Sequence, residues 1–391
     1  MGPRSKRAVV ASVITAAVIA VGGFGRASAT TGSPDGSQLG APATLRQTWT
    51  AQQLVDRSEC VPLVLTIDVQ SRSHVAAECD GSIRYWTSTG DGTWRTTPFA
   101  HPTGRREIGP QVATDGNVVY VAYTRVAVTV GGCGDNGLRD VGVYYRQRRL
   151  PSGIWSSAKR MGQVDDHLQS FRVVGGTLHA TVLASNGLVY YEALKGTDTH
   201  RYLVPGAVGE SSLRVGSDGR VRIAYEAAGS LRYAVFTGSR FATSRIAGST
   251  GGYAPQLVLG RNNAAYVVWT RAADNGRGCT GPGPDPSDGT YFGTTASGHW
   301  VSGRFTTAVG QASLTVEVAT GRVHAVMSNY VALNYFTKTA TGGWIRTSLA
   351  GKHAQWPVIR QDPATGRLEV VYLAGSANSG TPSGIYAVTT Q

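Results

Sequence analysis

Seven times along the chain the same phrase returns, and that repetition limits the possible fold more than any other property of the sequence. Each copy opens on a short apolar strand: "PLVLTI", "PQVA", "SFRVV", "SLRVG", "PQLVL", "SLTVEV" and "PVIRQ". A tight turn and an alternating strand follow, as in "DGNVVYVAY", "GGTLHATVL", "DGRVRIAY", "NNAAYVVW", "TGRVHAVM" and "TGRLEVVY", with "SRSHVAAE" a weaker member. Asp-Gly, Gly-Gly and Thr-Gly between β-branched runs are hairpin signals. Four copies then add an aromatic strand, a glycine turn and a tryptophan: "IRYWTSTGDGTW", "VYYRQRRLPSGIW", "TYFGTTASGHW" and "NYFTKTATGGW".

The copies start at Pro62, Pro110, Ser170, Ser212, Pro255, Ser313 and Pro357, spaced by 48, 60, 42, 43, 58 and 44 residues, and no helical period is found. Units of this length with four strands each describe an all-β fold, a seven-bladed β-propeller of four-stranded blades. The third and fourth copies lack the outer tryptophan, so a six-bladed alternative stays open. The seventh copy ends at "GIYAV" without an outer strand, while "RQTWTAQQLV" at 46–55 has the outer-strand pattern and no repeat before it. The expectation is a ring closed by this N-terminal strand, which removes the open sheet edges. Trp49, Trp94, Trp155, Trp300 and Trp344 then share one slot, and an aromatic recurring at one strand position reads as packing between blades rather than as a ligand platform.

Ahead of the repeats, residues 1–29 read as a signal peptide: Arg4, Lys6 and Arg7 precede an apolar run from Ala8 to Val21, and Ala27-Ser28-Ala29 offers a small-x-small cleavage site. The alternative is an uncleaved anchor, for which the run is short. Residues 30–44 form a polar, small-residue leader, and 45–391 a single propeller domain. The expected location is therefore secreted and extracellular, with no membrane span after cleavage. Removal of the signal leaves 33 basic against 24 acidic residues, about +9 in net charge. That balance favours an extracellular glycan or an anionic polymer as partner. No basic run with interleaved aromatics supports nucleic acid. A monomer is expected, with no cofactor and no metal.

The long second and fifth repeats place their extra residues between the second and third strands, at 125–140 and 271–289. Each insertion begins with an arginine, carries Asp-Asn-Gly and holds one cysteine. Two such loops three blades apart stand nearly opposite across the ring, so a Cys133–Cys279 disulfide would bridge the channel mouth. Cys60 and Cys79 flank one predicted hairpin and would pair across it. Four cysteines allow three pairings in all. Asp135, Asp140, Asp274, Asp285 and Asp288 offer oxygens to calcium, although the spacing is not that of an EF-hand and such residues are ordinary in turns. Aligned second strands put Glu78, Thr124, Glu226, Thr270 and Ser328 in one column at that mouth, with Arg125 and Arg271 one step later. The same face receives Glu59, Glu107, Asp166, His167, Glu210, Tyr253, Gln311, Gln355 and Trp356. The candidate ligand-binding residues are Glu78, Arg125, Asp135, Asp166, Glu226, Arg271, Asp274 and Trp356, a polar mouth suited to a sugar.

The strand, glycine turn and tryptophan resemble the sialidase-like propellers built on Asp-box (BNR) repeats. Ser88, Asp91, Gly92, Thr93 and Trp94 supply the Asp-box residue types at the corresponding hairpin, at shorter spacing, and the other copies lack the aspartate. The resemblance implies a rim position for this motif, away from the mouth. It also implies, for a member with activity, three arginines on a substrate carboxylate, a tyrosine nucleophile served by a glutamate, and an aspartate acid/base. Arg125 and Arg271 match two of the arginines and Glu226 or Glu78 the glutamate, while no third arginine or tyrosine is assigned. Two functions follow: a non-catalytic binding propeller, or a glycoside hydrolase of sialidase-like type using a carboxylate pair. Peptide mapping of the unreduced, exported protein is expected to give an N-terminus at Thr30 and linked peptides Cys60–Cys79 and Cys133–Cys279; a Cys60–Cys133 peptide would overturn the pairing.

Overall fold

A computed structural model of the chain describes residues 48–55, 60–89, 93–130, 136–151, 153–272, 287–329, 332–338, 343–350, 354–374 and 384–390. These form seven four-stranded antiparallel sheets. The first strand is β1 (Trp49–Val55). Blade 1 is β2 (Cys60–Ile67), β3 (Ser73–Cys79), β4 (Ser82–Ser88) and β5 (Trp94–Pro98). Blade 2 is β6 (Arg105–Asp115), β7 (Val118–Val130), β8 (Asn136–Arg149) and β9 (Lys159–Met161). Blade 3 is β10 (His167–Val174), β11 (Thr177–Leu183), β12 (Val189–Lys195) and β13 (Asp198–Leu203). Blade 4 is β14 (Ala207–Val215), β15 (Val221–Ala227), β16 (Ser230–Phe236) and β17 (Phe241–Arg245). Blade 5 is β18 (Gly252–Leu259), β19 (Ala265–Arg271), β20 (Gly289–Thr294) and β21 (Val301–Thr306). Blade 6 is β22 (Gln311–Val316), β23 (Val323–Ser328), β24 (Leu333–Lys338) and β25 (Trp344–Ala350). Blade 7 is β26 (Gln355–Gln361), β27 (Leu368–Ala374) and β28 (Gly384–Thr390), completed by β1 as outermost strand. The fold is a seven-bladed β-propeller, and the six-bladed alternative is set aside.

Each inner strand packs beside the next, and β26 returns to β2, so the sheets close into a ring. The second strands lie mid-sheet with a blade on either side, which buries both their faces. The alternation expected of a half-exposed strand accordingly vanishes in β23 and β27, where every residue is buried. Outer strands such as β17 keep four exposed residues in succession. The apolar core is distributed: each buried cluster sits between two consecutive blades, as where Ala76, Ile83 and Tyr85 of blade 1 meet Val112, Val119 and Val121 of blade 2.

Polar groups fasten the same interfaces near the axis. Ser170 Oγ accepts the Leu213 N–H at 3.0 Å, Ser212 Oγ the Leu257 N–H at 3.0 Å, and Ser313 Oγ the Ile359 N–H at 3.4 Å. An inner strand has no sheet neighbour on its axial edge, so these N–H groups would otherwise lack a protein partner. Farther out, the outer aromatic of one blade meets the third strand of the blade before it. Trp155 stands edge-on to Tyr85 at 4.9 Å, Trp300 to Tyr233 at 5.4 Å, Trp344 to Phe292 at 5.3 Å and Trp49 to Tyr335 at 5.1 Å. In blade 4, which has no tryptophan here, Phe241 takes the slot against Tyr191. Such edge-to-face pairs add about 0.5–1.5 kcal/mol each beyond the area they bury.

Ring closure follows the expected route: β1 runs antiparallel to β28, with Trp49 opposite Thr390 and Ala51 opposite Val388. Cys60 and Cys79 form a disulfide across β2 and β3. The 125–140 insertion differs from the expected loop. Its alternating "VAVTV" continues the sheet as a two-stranded ribbon, with Val126 paired to Asp140 and Val128 to Leu138. At the opposite end of the blades the turns are tight; Gly175 and Gly176, at φ of +57° and +74°, make the two-residue turn between β10 and β11 that side chains would strain. Trp155 is half-buried between Tyr85 and Phe99, each at 4.9 Å. Trp155→Ala is expected to cost about 3 kcal/mol in urea unfolding, whereas a loss under about 0.5 kcal/mol, as at ordinary surface sites, would deny the slot a packing role.

Candidate functional site

Inner strands begin at one end of the ring, the upper mouth, and finish at the tight turns of the other. The second-strand column is at the upper mouth, and the structure shows what its members touch. Thr124 Oγ1 accepts the Leu168 N–H at 2.8 Å, and Glu226 Oε1 accepts the Ala254 N–H at 2.9 Å. Glu78 Oε1 accepts Arg106 Nη2 at 2.9 Å; burial pushes its carboxyl upward in pKa and Arg106 pulls it back. Thr270 Oγ1 donates to the Gly310 carbonyl at 3.0 Å, and Ser328 Oγ to that of Ala354. Each of these five bonds runs from one blade to the next. Glu78 and Glu226 therefore join blades at the mouth.

Arg125 meets Glu107 at 2.7 Å and lies over the Tyr144 ring at 4.1 Å. Glu107 is fully buried and anchors Arg125, which keeps part of its side chain exposed at the mouth. Asp166 is buried as well. Arg201 forks onto it at 2.7 and 3.1 Å, the Gln163 N–H donates at 2.8 Å, and the same Arg201 Nη1 reaches Glu192. Burial raises the Glu192 pKa, Arg201 opposes that, and Asp166 adds to it. Gly162 makes room for the two acids: its φ is +76°, and a Cβ there would stand 2.5 Å from Glu192 Oε2 and 2.9 Å from Asp166 Oδ2. Beside this cluster is a cavity of about 290 Å³ lined by Asn186, Tyr190 and Arg201 among others.

Arg271 ends β19, half-buried, paired to Gly289 and next to Gly251. Trp356 sits in a bulge of β26 at a φ of +51°, its N–H donating to Gln311 Oε1 at 2.7 Å and its ring packed against the cluster around Cys60 and Cys79. At the base of the ribbon, His167 Nδ1 lies 3.2 Å from Asp140, and Arg139 3.3 Å from Asp165. Glu210 is exposed to solvent at the mouth, with protein atoms crowded around it. Burial first, and then Glu226, push its pKa up to about 7, with His167 pulling the other way. Glu59, Asp91, Gly92, Cys133, Asp135, Asp274, Cys279 and Asp285 lie outside the described residues. Among the described residues no group of three or more His, Cys, Asp or Glu is arranged to hold a metal ion.

A second charged region stands on the axis, away from the upper mouth. Arg172, Arg214 and Arg360 line the axial channel near its lower end, in a cavity of about 310 Å³. Their signal was present in "SFRVV", "SLRVG" and "PVIRQ", where an arginine takes the same place in three apolar strands. Arg201 and Glu192, the partners of Asp166, carried no comparable signal, because a lone ionic residue on a strand does not reveal what it faces.

No family model matches the sequence, and no curated protein does. Solved structures do share its architecture. It is similar to the WD40 repeats of RRP9 (TM-score 0.56, 10% identity, 87% of this chain and 97% of that one). It is similar also to the β-propeller domain of Cps50 (Swd1) from Myceliophteria thermophila (TM-score 0.52, 10% identity, 87% and 99%). Trypanosoma rangeli sialidase in complex with the inhibitor DANA matches at TM-score 0.48 and 10% identity over 85% of this chain, which spans 55% of that protein's length. At such identities the likeness is one of fold.

Arg201 gives the sharpest test of the upper cluster. Arg201→Leu strands two buried carboxylates and is expected to cost about 3–5 kcal/mol at neutral pH. Stranded acids have raised folded-state pKa values, so they favour folding at low pH and lose that contribution as pH rises through those values. Denaturant unfolding should therefore show the deficit shrinking from pH 8 to pH 5; a pH-independent deficit would mean lost packing alone.

Proposed function

We propose that this is a secreted, non-catalytic β-propeller that binds an extracellular glycan or other anionic polymer at its upper mouth. The observation that carries this reading is that, among the described residues, the mouth's carboxylates other than Glu210 are already engaged: Glu78 by Arg106, Glu107 by Arg125, Asp166 and Glu192 by Arg201, and Glu226 by the Ala254 N–H. Glycoside hydrolysis needs two carboxyl groups about 5–9.5 Å apart facing an open cleft, free to attack or to exchange protons. Asp166 and Glu192 do lie close, bound to one guanidinium, but both are about 1% exposed and out of a substrate's reach. Arg125, Arg271, Trp356 and the acids fixed between blades would then serve as a rigid polar rim. The sequence's basic balance and its signal-like N-terminus support an anionic partner outside the cell. Asp135, Asp274 and a Cys133–Cys279 bridge belong to this reading as expected parts of the two long loops.

One observation favours a second reading, hydrolysis. Glu210 is exposed at the mouth beside a second carboxylate, Glu226; burial and this neighbour together push its pKa up to about 7, in the range a general acid needs. A glycan array and a fluorogenic glycosidase panel on the mature protein separate the two. Binding without turnover is expected, with Arg271→Ala weakening binding about tenfold (about 1.4 kcal/mol). Turnover that Glu210→Gln abolishes would establish the second reading and overturn the first.

A further inference from the structure

The lower channel holds three guanidinium groups and, among the described residues, no acid paired with them. Arg172 of blade 3, Arg214 of blade 4 and Arg360 of blade 7 line one cavity together with Thr66, Thr114 and Thr315. All three arginines are anchored alike: Nη1 donates to the carbonyl of the preceding residue, Phe171 at 2.5 Å, Leu213 at 2.8 Å and Ile359 at 2.7 Å. One of five N–H donors is thereby used on each, and among the described residues no carboxylate lies within ion-pairing distance of any of them. The nearby acids point elsewhere, and burial pushes the Glu369 carboxyl upward in pKa, toward its neutral form. Glu369, opposite Arg360 across the strand pair, accepts the Ser73 hydroxyl at 2.5 Å, and Asp218 takes both Nη atoms of Arg222 at 2.8 Å.

Burial and the charge of Arg360 lower the Arg172 pKa to about 9, and burial lowers that of Arg360 to about 10. Both remain protonated at neutral pH, so like charges face one another across a narrow space whose other walls include Leu65, Val112 and Val173. An anion entering there would replace repulsion with charge-assisted hydrogen bonds. A planar carboxylate is satisfied by one or two guanidinium forks. Three guanidiniums approaching from separate blades instead match an acceptor with oxygens directed several ways.

We propose that the lower channel binds a tetrahedral oxyanion, a phosphate or sulfate group, through Arg172, Arg214 and Arg360. The site is at the opposite end of the ring from Arg125 and Arg271 and does not depend on the upper-mouth reading. Its ligand is a free inorganic ion or the terminal group of a phosphorylated or sulfated sugar.

Calorimetry and thermal unfolding of the mature protein test it, with sodium phosphate, sodium sulfate, glucose 6-phosphate and malonate each compared with sodium chloride at equal ionic strength. Phosphate and sulfate are expected to bind once per chain and raise the unfolding temperature. Equal or tighter binding of glucose 6-phosphate would identify an ester as the source, and its failure to bind a free ion. The Arg172→Gln/Arg360→Gln double variant should bind at least about tenfold more weakly. Without the anion at low salt it should unfold no earlier than the parent, because mutual repulsion has been removed; a purely structural role would lower its stability instead. On the unaltered protein, phosphate should protect the three arginines from phenylglyoxal, read by mass spectrometry, whether or not the variant folds. No response beyond chloride, equal binding of malonate, undiminished binding by the double variant, or absence of protection would overturn the proposal. Variants at the upper mouth should leave this binding unchanged, so the two sites fail or stand separately.

Discussion

The ring depends on how each inner strand finds partners on the edge that faces the axis. A four-stranded blade leaves its first strand with one unpaired edge, and an unpaired backbone edge is both a cost and an invitation to association. Ser170, Ser212 and Ser313 meet that need by accepting N–H groups from the following blade, and Thr124 and Glu226 repeat the device at the upper end. The blades are thus not independent units resting against each other; blades 2, 3, 4 and 6 supply hydrogen-bond acceptors to the backbone of their successors.

This architecture explains why the fold was legible in the sequence and the site was not. A repeated unit writes the same demand many times, so the strand patterns, the serines at repeat starts and the five tryptophans all point to one solution. Even the missing tryptophan of blade 4 has a visible substitute in Phe241. Polar residues at strand ends carry no such redundancy. Glu78 and Glu226 read equally well as ligand contacts and as ties between blades, because the distinction rests on which neighbour the ring brings to them. Asp166 looked like part of an open mouth, yet Arg201, from an outer strand, closes over it. The channel arginines were hidden for the opposite reason: within a run of valines and leucines an arginine on a strand looks like surface, and only ring closure turns that surface inward.

Charge is distributed accordingly. Glu78, Glu107, Asp166, Glu192 and Glu226 at the upper end are compensated by arginines or a backbone N–H group, and Asp68 and Asp218 near the tight turns are matched with Arg72, His74 and Arg222. Asp68 is held well below the usual carboxylate range: burial opposes ionisation, but bonds from His74 and Arg72 outweigh it. Against this background of paired charge, Arg172, Arg214 and Arg360 stand on the axis with no ion-pair partner among the described residues.

The closing strand has a kinetic consequence. In a chain made from its N-terminus, β1 exists before any blade does, yet its partner β28 is the last strand to be completed. Pairings between such distant segments form slowly, since the entropy of closing the loop is lost before any contact rewards it. Blades 1 to 6 each contain all four of their strands and can assemble by short hairpins. Blade 7 instead needs β1 and β28 together, which makes its completion the longest-range pairing in the ring.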